Sequence, residues 1–134
     1  CRIDAEARSL DETRAARVTQ AIVDACTWGA GEHRCDLDVD VREMFRGYRV
    51  KSSAPGVDVA REALRRCGHP PVETATGGGS DANALSARGF EAVLLANGTE
   101  ANHTPDESVA ADRLADMLAV CEAIVDEAGR RCPA

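Results

Sequence analysis

Two short polar segments contain the residues whose types and spacing could do chemistry. The first is the run GGGSDAN at residues 77–83, and the second is the run NHTPDE at residues 102–107. Glycines between a strand and a helix let backbone approach a ligand closely, and the first turn of the helix offers unpaired amides that favour an anion. Residues 77–80 could therefore hold a carboxylate or a phosphate. They could equally form only a tight turn in which Ser80 or Asp81 caps the helix.

A nucleotide is not indicated at the glycine run, because no Walker lysine follows it and no GxGxxG pattern is present. His103 is the candidate metal ligand of the second segment. A catalytic zinc site uses about three protein ligands, and no second histidine or carboxylate pair stands at ligand spacing near it. Thr104, Pro105 and Glu107 match a capping box with proline at the first helical position. On spacing alone, His103 is either a metal ligand or an ordinary loop histidine.

Two arginines, Arg46 and Arg49, are candidates for binding a substrate carboxylate. They precede a polar, turn-rich stretch at residues 51–56 that predicts a domain boundary near residue 50. A guanidinium group can bind a carboxylate through two parallel hydrogen bonds. The alternative for either residue is a solvated or ion-paired arginine.

The elements predicted around these residues alternate between strand and helix. Period-two alternation or short apolar runs predict strands at residues 1–8, 35–41, 72–76 and 90–95. Helical periodicity and capping residues predict helices from Asp11 to Gly29 and near residues 57–67, 81–88 and 114–128. The last helix has an apolar stripe of Leu114, Leu118, Cys121, Val125 and Ala128. The predicted fold class is therefore α/β.

Composition restricts the class of protein. The 134 residues are 44% hydrophobic, which is enough to build a core, and the net charge of -7 disfavours binding to nucleic acid or to anionic membrane surfaces. No apolar run reaches the roughly 20 residues that span a bilayer, and no leader opens the chain, so a cytoplasmic location is expected. The six cysteines lack metal-type spacing, and those on apolar helical positions are expected to be buried, reduced thiols. Because the first residue is Cys1, we interpret the chain as a fragment of a longer protein.

Taken together, the motifs resemble one enzyme family. Their order is EARS at residues 6–9, a strand ending in tyrosine and arginine, GGGSDAN, a loop containing Gly98, HTPDE, and a long final helix. This order resembles the C-terminal part of the co-catalytic zinc metallopeptidases. That family includes peptidase T, carboxypeptidase G, aminoacylase, acetylornithine deacetylase and succinyl-diaminopimelate desuccinylase. The GGGSDAN variant is most similar to the peptidase T-like members.

The resemblance implies an architecture. Residues 1–49 would be the terminal strand-helix-strand of a ferredoxin-like lid domain, which often dimerises, so a homodimer is expected. Residues 50–134 would be the C-terminal α/β portion of the catalytic domain. The implied cofactor is zinc, with two ions in each active site.

The resemblance also implies roles for single residues. His103 matches the family's last zinc ligand, and Gly78, Gly79 and Ser80 match the loop that faces the substrate. Asp81 would fix that loop or support a ligand without binding metal. Arg49 matches the lid arginine that grips the substrate's carboxylate, with Arg46 as the alternative.

The expected function is that of a zinc-dependent hydrolase acting on a peptide or an N-acyl amino acid. The family's His-x-Asp pair, bridging aspartate and general-base glutamate are absent from this sequence. The isolated chain is therefore expected to be inactive, with no catalytic residue of its own. The rival hypothesis is a module that binds a small anion or dimerises without catalysis. A third is a remnant with a structural role only.

Overall fold

The computed structural model describes residues 1–131, and this part of the chain contains four α-helices. They are α1 (Glu12–Glu32), α2 (Pro55–Arg66), α3 (Asp81–Ala87) and α4 (Ala111–Arg131). None of these helices combines the length and the apolar content that crossing a membrane requires. The chain divides into two compact units, one of residues 1–48 with 75–88 and the other of residues 49–74 with the described part of 89–134. The assignment of residues 1–49 to a lid and 50–134 to a catalytic domain stays a prediction.

The predicted α/β fold is wrong. Within residues 1–131 no strand pairs with another, and the β-type pairing found there is a single antiparallel bridge between Glu100 and Ser108. Alternation of apolar and polar residues shows which side chains would share a face, but a strand also needs a backbone partner. Ile3 and Val72, in two of the segments predicted as strands, are 70% and 81% exposed. Residues 1–131 therefore contain neither the predicted strand-helix-strand nor an α/β portion after it.

The four predicted helices are confirmed. Asp11 caps α1 as expected, because its side chain accepts a hydrogen bond from the backbone N–H of Arg14 at 3.1 Å. Helix α1 continues three residues beyond Gly29, the predicted end, to Glu32. Helix α2 ends just before Cys67 and Gly68, and the positive φ of 81° at Gly68 suits a glycine.

Helices α2 and α4 pack against each other and form the core of the second unit. Ala63 on α2 is completely buried and Val120 on α4 is 1% exposed. Ala60 and Ala123 are buried as well, so small side chains on both helices allow a close approach. Burial of these apolar surfaces is the main stabilising term of this unit.

The apolar stripe of α4 noted in the sequence is not the buried face of this helix. Leu114, Leu118 and Val125 are 53%, 62% and 72% exposed, whereas Val120 and Ala123 are buried. Helix α4 has apolar residues on both of these faces, and helical periodicity identifies a face without showing which one meets a neighbour. The contact with α2 therefore decided which face is inside.

The cysteines of the described residues are free thiols. Cys26 and Cys67 are half-buried, while Cys121 is exposed because it lies on the outer face of α4. The expectation of burial is therefore wrong for Cys121. Cys132 lies outside the described residues.

A glutamate from a distant segment completes the start of α2. Ala54 occupies the cap position and has no side chain to accept a hydrogen bond. Instead, Oε1 of Glu91 accepts a hydrogen bond from the backbone N–H of Gly56, at a distance of 3.0 Å. A Cβ atom on Gly56 would lie 2.9 Å from that oxygen, so glycine leaves room for the carboxylate. The negative charge also complements the helix dipole. The segment at residues 90–95, which was predicted as a strand, thus supplies Glu91 as a cap for α2.

Ion pairs hold the next segment of the second unit against α2. Nη1 of Arg61 lies 2.7 Å from Oδ1 of Asp58, and Nε of Arg61 lies 2.9 Å from Oε1 of Glu73. The hydroxyl of Ser52 donates to the other carboxylate oxygen of Glu73. The Ser52 hydrogen bond, and then the Arg61 guanidinium, hold the pKa of Glu73 below its ordinary value.

Three arginines surround one carboxylate on α4. Glu127 lies 2.8 Å from Arg131, 3.7 Å from Arg130 and 4.0 Å from Arg66 of α2, and its side chain is 12% exposed. The hydrogen bond from Arg131, reinforced by the charges of the other two arginines, lowers the pKa of Glu127. The ionised form of this carboxylate therefore stabilises the last turns of α4 and, through Arg66, contributes to the contact with α2.

Replacing Val120 tests which face of α4 is buried. We expect Val120→Ala to lower the free energy of unfolding by about 2 kcal/mol, because it removes buried methyl groups and leaves a cavity. The matched control is Val125→Ala on the exposed face, where the change should stay within about 0.5 kcal/mol. Urea unfolding followed by circular dichroism measures both. A larger loss for the Val125 variant would reverse the assignment of the two faces.

Replacing Glu127 tests the charge cluster. Because its folded-state pKa is lowered, the stability that Glu127 contributes is present above the unfolded-state pKa and is lost as the pH falls through the folded-state pKa. We expect Glu127→Gln to melt at a lower temperature than the original chain at pH 7, and this gap to narrow on acidification. Thermal unfolding at several pH values, with the exposed Glu122→Gln as control, measures the gap. A gap that stays constant across the acid range would contradict this interpretation.

Candidate functional site

The glycine-rich segment leads into α3 through a capping box. The Ser80 hydroxyl accepts a hydrogen bond from the Ala82 N–H at 3.3 Å, and Oδ1 of Asn83 accepts the Ser80 N–H at 3.0 Å. The capping function that the sequence allowed for this segment is therefore present, with Ser80 and not Asp81 as the cap. Asp81 lies exposed in the first turn, where its charge complements the helix dipole.

The loop uses part of its own hydrogen-bonding capacity. The Gly78 N–H donates to Oγ1 of Thr76 at 3.1 Å, and the Ser80 N–H is bound by Asn83. Within the described residues, the Gly79 N–H has no acceptor and the Ser80 hydroxyl donates to none. Of the three residues predicted to face a substrate, Gly79 and Ser80 thus retain a donor for a ligand.

A segment earlier in the chain packs on this loop within the first unit. A Cβ atom on Gly79 would lie 2.3 Å from two ring atoms of Phe45, so the ring occupies the space of a side chain. Nδ2 of Asn83 donates to the backbone carbonyl of Arg46 at 2.6 Å, and Asn83 is 7% exposed. The Arg8 guanidinium lies over the Phe45 ring, 5.9 Å from its centroid, which is within reach of a cation–π contact.

Sequence reasoning missed both Phe45 and Asn83. Asn83 stands three residues after Ser80, the spacing of a capping box, so its hydrogen bond to Ser80 could have been found. Nothing in the sequence indicated the contact of Phe45 with Gly79, because the two residues come together only when the chain folds.

The two candidate arginines differ in their partners. Arg46 lies 2.8 Å from Glu43, and this hydrogen bond raises the pKa of Arg46 further above its already high value. Arg49 is exposed, and in the part of the chain that the structure describes no carboxylate lies within 4.0 Å of it. Of the two arginines, Arg49 is therefore the one without a carboxylate partner among the described residues. Arg49 belongs to the second unit, and the glycine-rich loop belongs to the first.

His103 lies at the tip of a closed turn in the second unit. Glu100 and Ser108 exchange two backbone hydrogen bonds of 2.9 Å and 3.2 Å at the base of the turn. Ala101 and His103 both adopt positive φ values, 51° and 65°, which are uncommon for residues other than glycine. Strained backbone of this kind often marks functional positions. The turn leaves His103 exposed.

The capping box predicted at Thr104 and Glu107 is wrong. The Glu107 carboxylate accepts the N–H of His103 at 2.5 Å, one residue earlier than a capping box at Thr104 would require. The Thr104 hydroxyl donates to the carbonyl of Ala101 at 2.7 Å. These bonds stabilise the turn itself, and α4 begins only at Ala111.

The described residues do not by themselves fit a zinc ion. Among residues 1–131 no group of three or more histidine, cysteine, aspartate or glutamate side chains lies close enough to share a metal ion. His103 can offer one imidazole nitrogen, whereas a catalytic zinc site uses about three protein ligands. No catalytic step through zinc follows from this geometry. The roles predicted for the site residues stay predictions.

Replacing Glu107 tests how the His103 turn is held. We expect Glu107→Ala to speed the hydrogen exchange of the His103 amide at least tenfold, since a bond of about 1.4 kcal/mol protects an amide by that factor. Asp106→Ala is the control, because the described hydrogen bond of Asp106 uses its backbone and not its carboxylate. Exchange followed by nuclear magnetic resonance measures both. Equal rates in the two variants would show that the carboxylate does not hold the turn.

Comparisons with known proteins identify a family whose match includes both motifs. Residues 3–127 match Peptidase family M20/M25/M40. The chain is also 30% identical, over 126 residues, to a Bacillus subtilis (strain 168) protein named "Uncharacterized protein YqjE". That alignment covers 94% of this chain and 34% of the relative, so the chain spans about a third of the relative's length. No solved structure matches the chain significantly. Because the match takes in both the glycine-rich loop and the His103 turn, the chain belongs to Peptidase family M20/M25/M40.

Proposed function

We propose that the longer protein represented by this chain is a hydrolase that cleaves a peptide or an N-acyl amino acid. The observation that carries the proposal is the family match over residues 3–127, which includes residues 77–83 and 102–107. The matched relative is about three times as long as this chain, so the activity is proposed for the whole protein. The isolated chain would lack activity.

The first proposed role is that of His103 as one zinc ligand. Zinc is the metal that the resemblance of the HTPDE motif implies, with two ions in each active site. The closed turn supports this role, because it fixes the backbone on both sides of the imidazole and leaves the ring exposed. The remaining ligands and the general base would come from parts of the protein outside this chain.

The second proposed role is recognition of the substrate. Arg49 would bind the terminal carboxylate, since its guanidinium has no ion-pair partner among the described residues and can form a bidentate pair. The Gly79 N–H and the Ser80 hydroxyl would contact an oxygen of the substrate. Gly78 would line the same loop, with its own N–H held by Thr76. Asp81 would fix the loop without contacting the reacting group.

The third proposed feature is the organisation of the longer protein. Residues 1–49 would belong to a lid through which two copies form a homodimer, and residues 50–134 would belong to the catalytic domain. The net charge of -7 argues against nucleic acid as a partner. The longer protein would act on its small substrates in the cytoplasm.

A module that binds a small anion without catalysis is the second candidate. It is favoured by the unfilled donors of Gly79 and Ser80. Isothermal titration of the isolated chain with phosphate and with zinc separates the two candidates. Phosphate binding that is unchanged in His103→Ala would favour the module.

Replacing His103 in the full-length protein tests the hydrolase proposal. Supporting residues around a metal site typically contribute about 10- to 100-fold, so loss of a ligand should cost at least about 100-fold in kcat/KM. Zinc content measured by mass spectrometry should fall as well. His33→Ala is the control, because His33 is also an exposed histidine and lies after α1. Full activity in the His103 variant would refute the assignment.

A further inference from the structure

We propose that Phe45 and Asn83 are positioning residues for the loop at residues 78–80. In this view the segment at residues 44–46 sets where the Gly79 N–H and the Ser80 hydroxyl lie. The inference rests on the proposed function for its substrate, and it adds two residues that are neither the proposed zinc ligand nor proposed substrate contacts. Neither residue would touch the substrate.

At position 79 a side chain would compete for space with the Phe45 ring. Gly68, Gly89 and Gly98 have positive φ values of 81°, 86° and 78°, whereas Gly79 is not among the residues of positive φ. The left-handed backbone region that favours glycine is therefore not the reason for a glycine at position 79. A Cβ atom there would lie 2.3 Å from the Phe45 ring, a separation at which two carbon atoms overlap. The ring and the loop can keep their places only if residue 79 has no side chain.

Asn83 connects the same loop to the backbone of Arg46, the residue that follows Phe45 in the chain. Its Oδ1 accepts the Ser80 N–H at 3.0 Å and its Nδ2 donates to the Arg46 carbonyl at 2.6 Å. Only a side-chain amide offers an acceptor and a donor in this arrangement, since a carboxylate would keep the first bond and lose the second. Asn83 is buried, so a lost partner could not easily be replaced by water.

These two contacts involve Gly79 and Ser80, the two residues that carry the loop donors. Phe45 fixes the backbone at Gly79, and Asn83 fixes the backbone at Ser80 and the first turn of α3. Donors that stabilise a developing negative charge act through their fixed position, and a displacement of about 1 Å can cost about 100-fold in rate. The packing of residues 44–46 would therefore affect catalysis at a distance from the reacting atoms.

A double-variant cycle in the full-length protein tests the contribution of Phe45. We expect Gly79→Ala to lower kcat/KM about 100-fold, because the new methyl group must displace the ring or the loop. Adding Phe45→Ala should recover about tenfold of that loss, since the space is then open. If Gly79 acted only through its own contact with substrate, the two losses would multiply. A recovery of kcat/KM in the double variant would support the proposal. Losses in kcat/KM that multiply would overturn it.

A second variant tests Asn83 without removing the helix cap. Asn83→Asp keeps the acceptor for the Ser80 N–H and loses the donor to Arg46. We expect kcat/KM to fall at least tenfold while zinc content is unchanged. Phe90→Ala is the control for both experiments, because Phe90 is 63% exposed and belongs to the second unit. Unchanged kinetics in Asn83→Asp would overturn the role of this residue.

A binding measurement separates failure of this inference from failure of the proposed function. Isothermal titration with N-acetylglycine reports on the loop donors even if the full-length protein hydrolyses nothing. Absence of hydrolysis together with binding that shows the same recovery in the double variant would reject the hydrolase and keep the positioning role. Hydrolysis with independent effects at residues 45 and 79 would keep the hydrolase and reject the positioning role. Absence of binding and of hydrolysis in the original protein would overturn both.

Discussion

Hydrogen bonds from side chains to backbone groups hold the non-helical segments of this protein in place. Buried or structured backbone must find partners, and where strands pair, a sheet supplies them. Among the described residues side chains often take that part: Glu91 binds the backbone of Gly56, Asn83 binds Arg46, and Glu107 binds His103. Each of these bonds joins a loop to a helix start, to another loop or to a turn. The two candidate functional segments both depend on such a bond.

This way of holding loops also determines which groups remain for a ligand. In the glycine-rich loop, Asn83 and Thr76 occupy two of the backbone amides, which leaves the Gly79 N–H and the Ser80 hydroxyl. In the second segment, Glu107 occupies the amide of His103 and leaves its imidazole exposed. The structural and functional interpretations of these motifs are therefore compatible. Some atoms of each motif stabilise the loop, and others face outward.

The helical pair α2–α4 illustrates how charge and packing act together. Alanines let the two helices approach, and the approach brings Arg66 near Glu127, whose other partners are arginines of its own helix. An exposed ion pair contributes little, but a carboxylate that is mostly covered and shared by three arginines contributes more. This arrangement makes the pair sensitive to acid, since the lowered pKa of Glu127 reflects stabilisation of its ionised form.

The sequence alone determined the four helices, the cap at Asp11 and the family. Helices and caps depend on residues close together in the chain, and the two motifs could be recognised from residue identity and order. Tertiary structure decided which face of α4 is buried, that the Phe45 ring fills the space beside Gly79, and that the alternating segments find no strand partners within residues 1–131. These features depend on residues far apart in the chain, and periodicity describes a face without naming its partner.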